Sequence, residues 1–91
     1  MVTASVLMNI RSGQVQSTAA QLAALPGIAE VYSVGGRFDL AAILRVANNE
    51  LMADLVTRQL AALETIENTE TLLAFQTFSR HDLESMFSIG N

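Results

Sequence analysis

Alternation of apolar and polar positions at the start of the chain predicts a β-strand over residues 2–10. The apolar members recur at every second position, as they do when one face of a strand is buried. They are Val2, Ala4, Val6, Met8 and Ile10. Leu7 falls on the opposite face, so this strand carries apolar side chains on both faces.

A helical period replaces the strand period over residues 14–25. Apolar or small side chains recur three or four positions apart and would form one buried stripe along a helix. The stripe consists of Val15, Thr18, Ala19, Leu22 and Leu25. Pro26 and Gly27 follow directly, and this pair is typical of the region just beyond a helix C-terminus. We therefore predict that the first helix ends at residue 25.

Two further strands are predicted on either side of a glycine pair. Residues 28–34 are rich in β-branched and aromatic side chains, and residues 38–46 alternate between two faces. Gly35 and Gly36 are the strongest turn signal in the chain, because glycine supplies the positive φ that a two-residue hairpin needs. We expect such a hairpin here, with at least one of the two glycines at positive φ.

A second helix is predicted to begin near Asn48, because a capping asparagine followed by Glu50 in the first turn is typical of helix N-termini. Its buried stripe would be Met52, Leu55, Val56, Leu60 and Leu63. A fourth strand is predicted over residues 69–78. Residues 1–78 would then form one domain, and residues 79–91 a tail in which residues 82–87 are compatible with a short helix.

The chain contains an internal duplication. Residues 21–28 match residues 59–66 at six of eight positions, with an offset of 38 residues. The same offset aligns the sequence of the first strand with that of the third, and the second strand with the fourth. Two β-α-β units joined by a hairpin predict an α+β, ferredoxin-like βαββαβ fold, with a four-stranded antiparallel sheet and both helices on one face.

The other face of this sheet has no predicted cover from within the chain. Leu7, Ala41 and Ile43 would lie there. A bare apolar sheet face is the kind of surface patch that marks an interface. The pattern therefore predicts a homodimer that packs sheet against sheet.

The composition supports this interpretation and limits the kinds of partner that the chain can bind. Hydrophobic residues make up 51% of the chain and charged residues only 15%, whereas an ordinary soluble domain carries about 25% charged residues. The net charge is −4, and the five basic residues are all arginines scattered along the chain. Because nucleic-acid binding rests on clustered positive charge, we expect no direct contact with nucleic acid.

The sequence also offers few candidate residues for a membrane span, a signal peptide, a metal site or a catalytic site. No apolar run approaches the roughly 18 residues that a membrane helix needs, and the N-terminus lacks the basic segment of a signal peptide. The chain has no cysteine, which excludes thiolate metal sites and favours a cytoplasmic location. The single histidine, His81, lies in the tail, and the sequence holds no catalytic triad, metal-ligand cluster or phosphate loop. We expect neither enzyme activity nor a cofactor nor a metal.

Two segments carry a family resemblance. Residues 25–40 read LPGIAEVYSVGGRFDL and residues 69–75 read TETLLAF. They resemble the Leu-Pro-Gly-Val … Gly-x-Tyr/Phe-Asp-Leu pattern and the Thr-x-Thr strand of the effector-binding (RAM-type) domain of the Lrp/AsnC, or feast/famine, transcriptional regulators. The resemblance covers about residues 2–78, with its motifs in the family's order.

The resemblance implies an oligomeric, effector-binding module. Family members form sheet-packed dimers that assemble further, often into a ring of four dimers, and their effectors are commonly amino acids. The effector site of the family lies near the hairpin after the second strand, at contacts between dimers. The matching positions here are Gly36, Phe38 and Asp39, with Thr69 and Thr71 as further candidates.

One departure from the family pattern concerns DNA binding. Typical regulators place a helix-turn-helix domain before this module, whereas here Met1 is followed at once by the first strand. The resemblance is therefore to stand-alone members without a DNA-binding domain. We expect such a module to act by co-assembling with full-length Lrp/AsnC regulators.

Each candidate residue also has a purely structural interpretation. Asp39 either bonds nearby backbone amides in a turn or holds the ammonium group of an amino acid. Arg37 either pairs with a ligand carboxylate in bidentate fashion or is a solvated hairpin residue. Thr69 and Thr71 either contact a ligand or pack as ordinary strand residues.

Three functions are compatible with the sequence. The first is a sensor of amino acids or similar metabolites. The second is an enzyme of the dimeric α/β-barrel type, a monooxygenase or isomerase, but this needs polar groups between sheet and helices where the predicted stripes offer almost none. The third is an assembly subunit without a ligand.

Overall fold

The computed structural model describes residues 1–80 of the 91-residue chain. The strands are β1 Val2–Ile10, β2 Ile28–Ser33, β3 Leu40–Val46 and β4 Ile66–Leu73. The helices are α1 Val15–Ala23 and α2, which is α-helical over Asn49–Asp54 and π-helical over Leu55–Leu60. The strands form one antiparallel sheet in the order β2-β3-β1-β4. The predicted βαββαβ fold is confirmed.

Both helices pack on the same face of the sheet. Every second residue of β1 and β3 points into a single apolar core, together with the predicted stripes of the helices. Its fully or almost fully buried members from the helices are Leu22, Met52, Leu55 and Leu60. Burial of each such side chain stabilises the fold by roughly 1.5–3 kcal/mol before the loss of chain entropy is counted. This core holds β1 and β3 at the centre and leaves β2 and β4 as edges.

The helix boundaries follow from local chemistry. Asn48 caps α2, because its Oδ1 accepts a hydrogen bond from the Leu51 amide at 2.9 Å; this confirms the predicted start. Gly27, beyond the end of α1, has φ +93°, and a Cβ built there would lie 2.9 Å from Val46 Cγ1 and 3.1 Å from Leu55 Cδ2. Glycine is required at this position by both conformation and space.

The predicted two-residue hairpin at Gly35 and Gly36 is wrong. The ladder between β2 and β3 ends at the pair Ser33 and Leu40, so residues 34–39 form a longer connection, the β2–β3 loop. Gly36 has φ +105° and Gly35 is not at positive φ. The loop is longer because Asp39 turns towards β1, where its amide donates to the Met8 carbonyl at 2.8 Å. The third strand consequently begins at Leu40 rather than at residue 38.

The fourth strand begins three residues earlier and ends five residues earlier than predicted. It begins at Ile66, and it ends at Leu73 instead of residue 78. The amide of Ala74 still donates to the Thr3 carbonyl at 2.9 Å, but Phe75 and Phe78 beyond it are exposed. The duplication itself contains the correct start, since Ile28 of β2 plus 38 residues is Ile66.

Both edge strands carry a β-bulge at duplicated positions. The register skips one residue, which is Ala29 in β2 and Glu67 in β4, 38 residues apart. The pairing beyond the bulge is not duplicated, however. Val31 of β2 pairs with Ala42, and the equivalent Thr69 of β4 pairs with Met8, four residues further along β1 than the duplication would place it.

The second face of the sheet is here called the open face. Its apolar members are Leu7, Tyr32, Ala41, Ile43 and Leu72, which follow from the register and the alternation of side chains. Tyr32 and Leu72 are about half exposed, at 48% and 51%. None of the helices described packs on this face. The predicted second apolar face is therefore present.

Two findings concern membrane-spanning helices and metal sites. Within residues 1–80, no helix has both the length and the apolar character needed to cross a membrane. The same residues contain no group of three or more histidines, cysteines or acids placed to hold a metal ion. His81 and the short helix predicted over residues 82–87 lie outside the described residues.

Candidate functional site

The β2–β3 loop is fastened to the end of β1 by hydrogen bonds from three successive residues. The Met8 carbonyl accepts from the Asp39 amide at 2.8 Å. The Asn9 side-chain amide donates to the Arg37 carbonyl at 2.7 Å. The Ile10 amide donates to Asp39 Oδ2 at 2.8 Å. These bonds hold Gly36–Asp39 against a central strand rather than leaving a free hairpin tip.

Asp39 uses one carboxylate oxygen in this arrangement. Oδ2 accepts from the amide of Ile10, which is 29 positions away in sequence, so the side chain joins the β2–β3 loop to β1 instead of closing a local turn. Among residues 1–80, nothing donates a hydrogen bond to Oδ1, and the residue is only half-buried. A carboxylate oxygen in this state can accept a hydrogen bond from an ammonium group.

The other loop residues present an open surface. A Cβ built at Gly36 would meet no heavy atom within 4 Å, so a ligand can approach the backbone there. Arg37 is exposed, and its guanidinium carbon lies 5.8 Å from the centre of the Phe38 ring. This distance allows a cation–π contact, which limits the directions in which the guanidinium points.

Thr69 and Thr71 do not join this loop within one chain. They lie on β4, where they pair with Met8 and Val6 of β1. The loop lies on the other side of β1, beside Leu40, so one strand separates it from the threonines by about 9–10 Å. Both threonines are exposed. The structure therefore gathers Gly36, Arg37, Phe38 and Asp39 and leaves Thr69 and Thr71 apart from them.

A small polar cluster borders the open face on the side of β2. The Tyr32 hydroxyl donates a hydrogen bond to Glu30 Oε2, and Arg45 Nη1 lies 3.9 Å from Glu30 Oε1. The hydrogen bond to Glu30 and its negative charge raise the pKa of the Tyr32 hydroxyl. The β-branched and aromatic residues of segment 28–34 predicted a strand but did not indicate this cluster.

The sequence did not indicate the π-helical part of α2. Arg58 forms a two-pronged contact with Asp54, at 2.6 Å from Nε to Oδ1 and 3.0 Å from Nη2 to Oδ2. Gln59 Nε2 donates to the same Oδ2 at 3.0 Å across five positions, a spacing that suits the wider π-helical turn. Hydrogen bonds from Arg58 and then Gln59 lower the pKa of Asp54 to about 2. The Asp54–Arg58 spacing is visible in the sequence, whereas the contact with Gln59 is not.

Sequence reasoning also missed a cleft between the π-helical turn and the start of β4. It has a volume of about 210 Å³. Its lining includes the apolar residues Leu60 and Ile66 and the polar residues Glu67, Asn68 and Thr69. Thr69 was predicted as a strand residue, whereas Glu67 and Asn68 lie before the predicted start of the strand. The cleft itself depends on the helix beside them.

Sequence comparison with known families agrees with this architecture. Residues 3–83 match the family model described as the Lrp/AsnC ligand binding domain. A relative from Pyrococcus furiosus, the HTH-type transcriptional regulator PF0250, is 34% identical over 62 residues. The matched part makes up 68% of this chain and 41% of the relative. The chain thus spans less than half of that regulator's length.

Solved structures show the same fold. TTHA0845 from Thermus thermophilus is 46% identical, with a TM-score of 0.82 over 88% of this chain and 100% of that one. The complex of the transcriptional regulator NMB0573 from Neisseria meningitidis with L-Met has a TM-score of 0.77 at 12% identity, over 87% of this chain and 53% of that one. The second likeness supports the fold alone. With the match over residues 3–83, the chain belongs to the Lrp/AsnC ligand-binding domain family.

Proposed function

We propose that the chain is an effector-binding and oligomerisation module in transcriptional regulation, with an amino acid as its effector. The family match, the regulator from Pyrococcus furiosus and the methionine complex of the Neisseria regulator support this proposal. The effector site is the β2–β3 loop, with Gly36, Arg37, Phe38 and Asp39. We place its action in the cytoplasm.

The fastening of the loop to β1 is the observation that carries the proposal. A pre-formed loop loses little conformational freedom when a ligand binds, which favours affinity for a small molecule. Asp39 Oδ1 accepts the ammonium group of the effector, and the guanidinium of Arg37 pairs with its carboxylate. The open space at Gly36 admits the ligand backbone to within hydrogen-bond distance of the loop.

Thr69 and Thr71 enter this proposal through a neighbouring copy. Since β1 separates them from the loop of their own chain, they contribute to an effector site only where β4 of one copy meets the loop of another. An effector bound at such a contact stabilises the assembly, because it interacts with both copies at once. Effector binding and assembly are coupled in this way.

The open face supports a sheet-packed dimer as the unit of assembly. Leu7, Ala41 and Ile43 lie side by side at its centre, with Tyr32 and Leu72 at either side. Packing two such faces removes their apolar surface from water, which is the main driving force for protein association. Four dimers of this kind would complete the ring that is common in the family.

Thermal denaturation with each of the twenty amino acids at millimolar concentration tests the effector claim. A ligand at 100 times its dissociation constant adds about 2.7 kcal/mol of stability, so a binder raises Tm clearly. Asp39→Asn keeps an acceptor for the Ile10 amide and removes the charge, so it abolishes the shift. Glu50→Gln, a charge removal at an exposed position of α2, preserves it. A panel in which no amino acid raises Tm would contradict the proposal.

Light scattering tests the assembly claim. Ile43→Lys places a charge at the centre of the open face and is expected to yield monomers, whereas Ala20→Lys on the exposed side of α1 leaves the oligomer intact. A wild-type protein that is monomeric at micromolar concentration would exclude the sheet-packed dimer. A stable oligomer without any amino acid effect would instead leave an assembly subunit without a ligand.

A further inference from the structure

The duplication provides an internal reference for the cleft beside β4. Applying the 38-residue offset backwards, its apolar residues Leu60 and Ile66 correspond to Leu22 and Ile28 of the first half. Four lining residues are identical to their counterparts, namely Leu60, Ala61, Leu63 and Ile66, and four differ, namely Val56, Glu67, Asn68 and Thr69. The two halves therefore differ here both in residues and in packing.

In the first half, the corresponding space is closed. Thr18 and Leu22 of α1 are fully buried, and Val31 of β2 packs against the core. Helix α1 lies directly against β2 along this contact. The counterparts of Thr18 and Val31 in the second half are Val56, which is half-buried, and Thr69, which is exposed.

Two features open the second half. The π-helical turn carries more residues per turn than an α-helix, so it displaces the side chains that follow Asp54. The shift of β4 by four residues along β1 also moves its first residues away from the positions that β2 occupies relative to β3. A π-helical segment is rare and occurs frequently at functional sites, and here it forms one wall of a cleft.

The cleft is lined by apolar and polar surface in about equal parts, with one acidic residue among the lining residues. Val56, Leu60, Leu63 and Ile66 provide the apolar part. The β-bulge of the second half places Glu67 at the rim, where the first half has Ala29. Among residues 1–80, no lysine or arginine lines the cleft. The Arg11 guanidinium donates to the Glu64 carbonyl at 3.3 Å, and the Arg11 backbone amide donates to the Thr65 carbonyl at 2.8 Å. The lining favours a cation over an anion.

We propose that this cleft is a second small-molecule site, separate from the β2–β3 loop, that binds a short branched alkylamine. The branched aliphatic part packs on Val56 and Leu60, and the ammonium group lies at Glu67 with Asn68 and Thr69 beside it. The volume of about 210 Å³ is below the roughly 300–1,000 Å³ of drug-sized pockets, so the ligand has only a few heavy atoms. Its binding does not require a neighbouring copy.

Nuclear magnetic resonance titration of the full chain with isoamylamine tests the proposal. Isoamyl alcohol and isovalerate serve as neutral and anionic probes of similar shape. We expect isoamylamine to shift the backbone amide signals of residues 56–69, with isoamyl alcohol binding more weakly and isovalerate not binding. Shifts confined to residues 34–39, no shift with any probe, or equal binding of amine and acid would each overturn the proposal.

Two variants with matched controls sharpen the test. Ala61→Phe places a bulky side chain in the cleft and is expected to weaken isoamylamine binding at least tenfold, whereas Ala23→Phe adds the same bulk at the duplicated position and leaves binding unchanged. Glu67→Gln weakens binding of the amine about threefold, the effect of one exposed ion pair, and leaves the alcohol unaffected. Equal effects of Ala61→Phe and Ala23→Phe would overturn the proposal.

The two proposed sites can fail independently. Asp39→Asn, which abolishes the amino acid effect at the loop, leaves the isoamylamine titration unchanged. Loss of isoamylamine binding in Asp39→Asn would show that there is one site rather than two, and would overturn this inference without affecting the proposed function.

Discussion

The two halves of this domain, β1-α1-β2 and β3-α2-β4, share much of their sequence and differ in how the helix meets the second strand. In the first half, a regular α-helix lies against β2, and Val31 packs on the core. In the second half, the helix becomes π-helical, and every residue of β4 after Ile66 is exposed. The local irregularity, one β-bulge per edge strand, is the same in both.

This difference separates what a sequence repeat specifies from what it does not. The bulge depends on a few neighbouring residues, so it recurs at the same offset. The packing of a strand under a helix depends on the whole helix and on the pairing register, so it diverges although Leu22 and Leu60, or Ile28 and Ile66, are identical residues. Both halves contribute to the core, but only the second leaves its edge strand exposed after the first residue.

The largest expected effect distinguishes the two duplicated leucines. Leu22→Ala should lower the free energy of unfolding by about 3–4 kcal/mol and Leu60→Ala by about 2–3 kcal/mol, because a closed site cannot relax into the space that is left, whereas the cleft can. Urea unfolding at one fixed protein concentration measures both, since oligomers unfold in a concentration-dependent way. Equal losses would indicate that the second half is as tightly closed as the first.

A slightly smaller effect is expected at the end of α1. Gly27→Ala forces a strained backbone and a contact with Val46 and Leu55, and should destabilise the fold by about 2–3 kcal/mol. Gly13→Ala is the matched control, because Gly13 has φ +81° with no heavy atom near the added Cβ, and should lose about 1 kcal/mol. The duplicated position is Thr65, which is not at positive φ. Similar losses for the two alanine variants would show that the close packing at Gly27 contributes nothing.

A third prediction concerns a side-chain hydrogen bond between the two halves. The hydroxyls of Thr18 and Thr65 lie 2.5 Å apart, and Thr18 is fully buried. Thr18→Val should lower the free energy of unfolding by about 1–1.5 kcal/mol. A double-mutant cycle with Thr65→Val measures the coupling, and Ser17→Ala on the exposed side of α1 is the control. Strictly additive losses in the cycle would mean that the two hydroxyls do not interact.

The smallest effect compares the two edge strands. Tyr32 is the only tyrosine and the chain has no tryptophan, so tyrosinate absorbance reports on this residue alone. Its raised pKa means that the bond to Glu30 is present at neutral pH and is lost as the pH rises through that pKa, above 10.0. Glu30→Gln should bring the midpoint closer to 10.0, and Glu70→Gln on β4 should leave it unchanged. A wild-type midpoint at or below 10.0 would contradict the Tyr32–Glu30 contact.

Much of the fold was predictable from the sequence because it depends on periodicity. The alternation in β1, the stripe that contains Leu22 and the cap at Asn48 each specify local structure, and the duplication specifies their order. The loop at Gly35 and Gly36 was mispredicted because its length is set by bonds from Asp39 to the end of β1, which are 29 or more residues away. A glycine pair alone gives no information about such long-range bonds.

Less of β4 and of the candidate site could be predicted from the sequence. A bulge breaks the two-residue period, so Ile66 and Thr69 share the helix side of the sheet although they are an odd number of residues apart. Thr69 and Thr71 resemble family positions, but a motif match alone does not indicate that β1 separates them from Asp39. The cleft arises from a π-helical turn, which has no clear sequence signature in residues 55–60.

The duplicated bulges also determine where this chain tolerates a change in length. At Ala29 and Glu67, one extra residue already stands outside the pairing. Deletion of either residue would straighten the strand and leave all the remaining side chains on their present faces. A deletion two residues later would exchange the helix-side and open-face residues on one side of the gap. Insertions and deletions between related chains are therefore expected to collect at these two positions, because changes there keep the open-face residues on the open face.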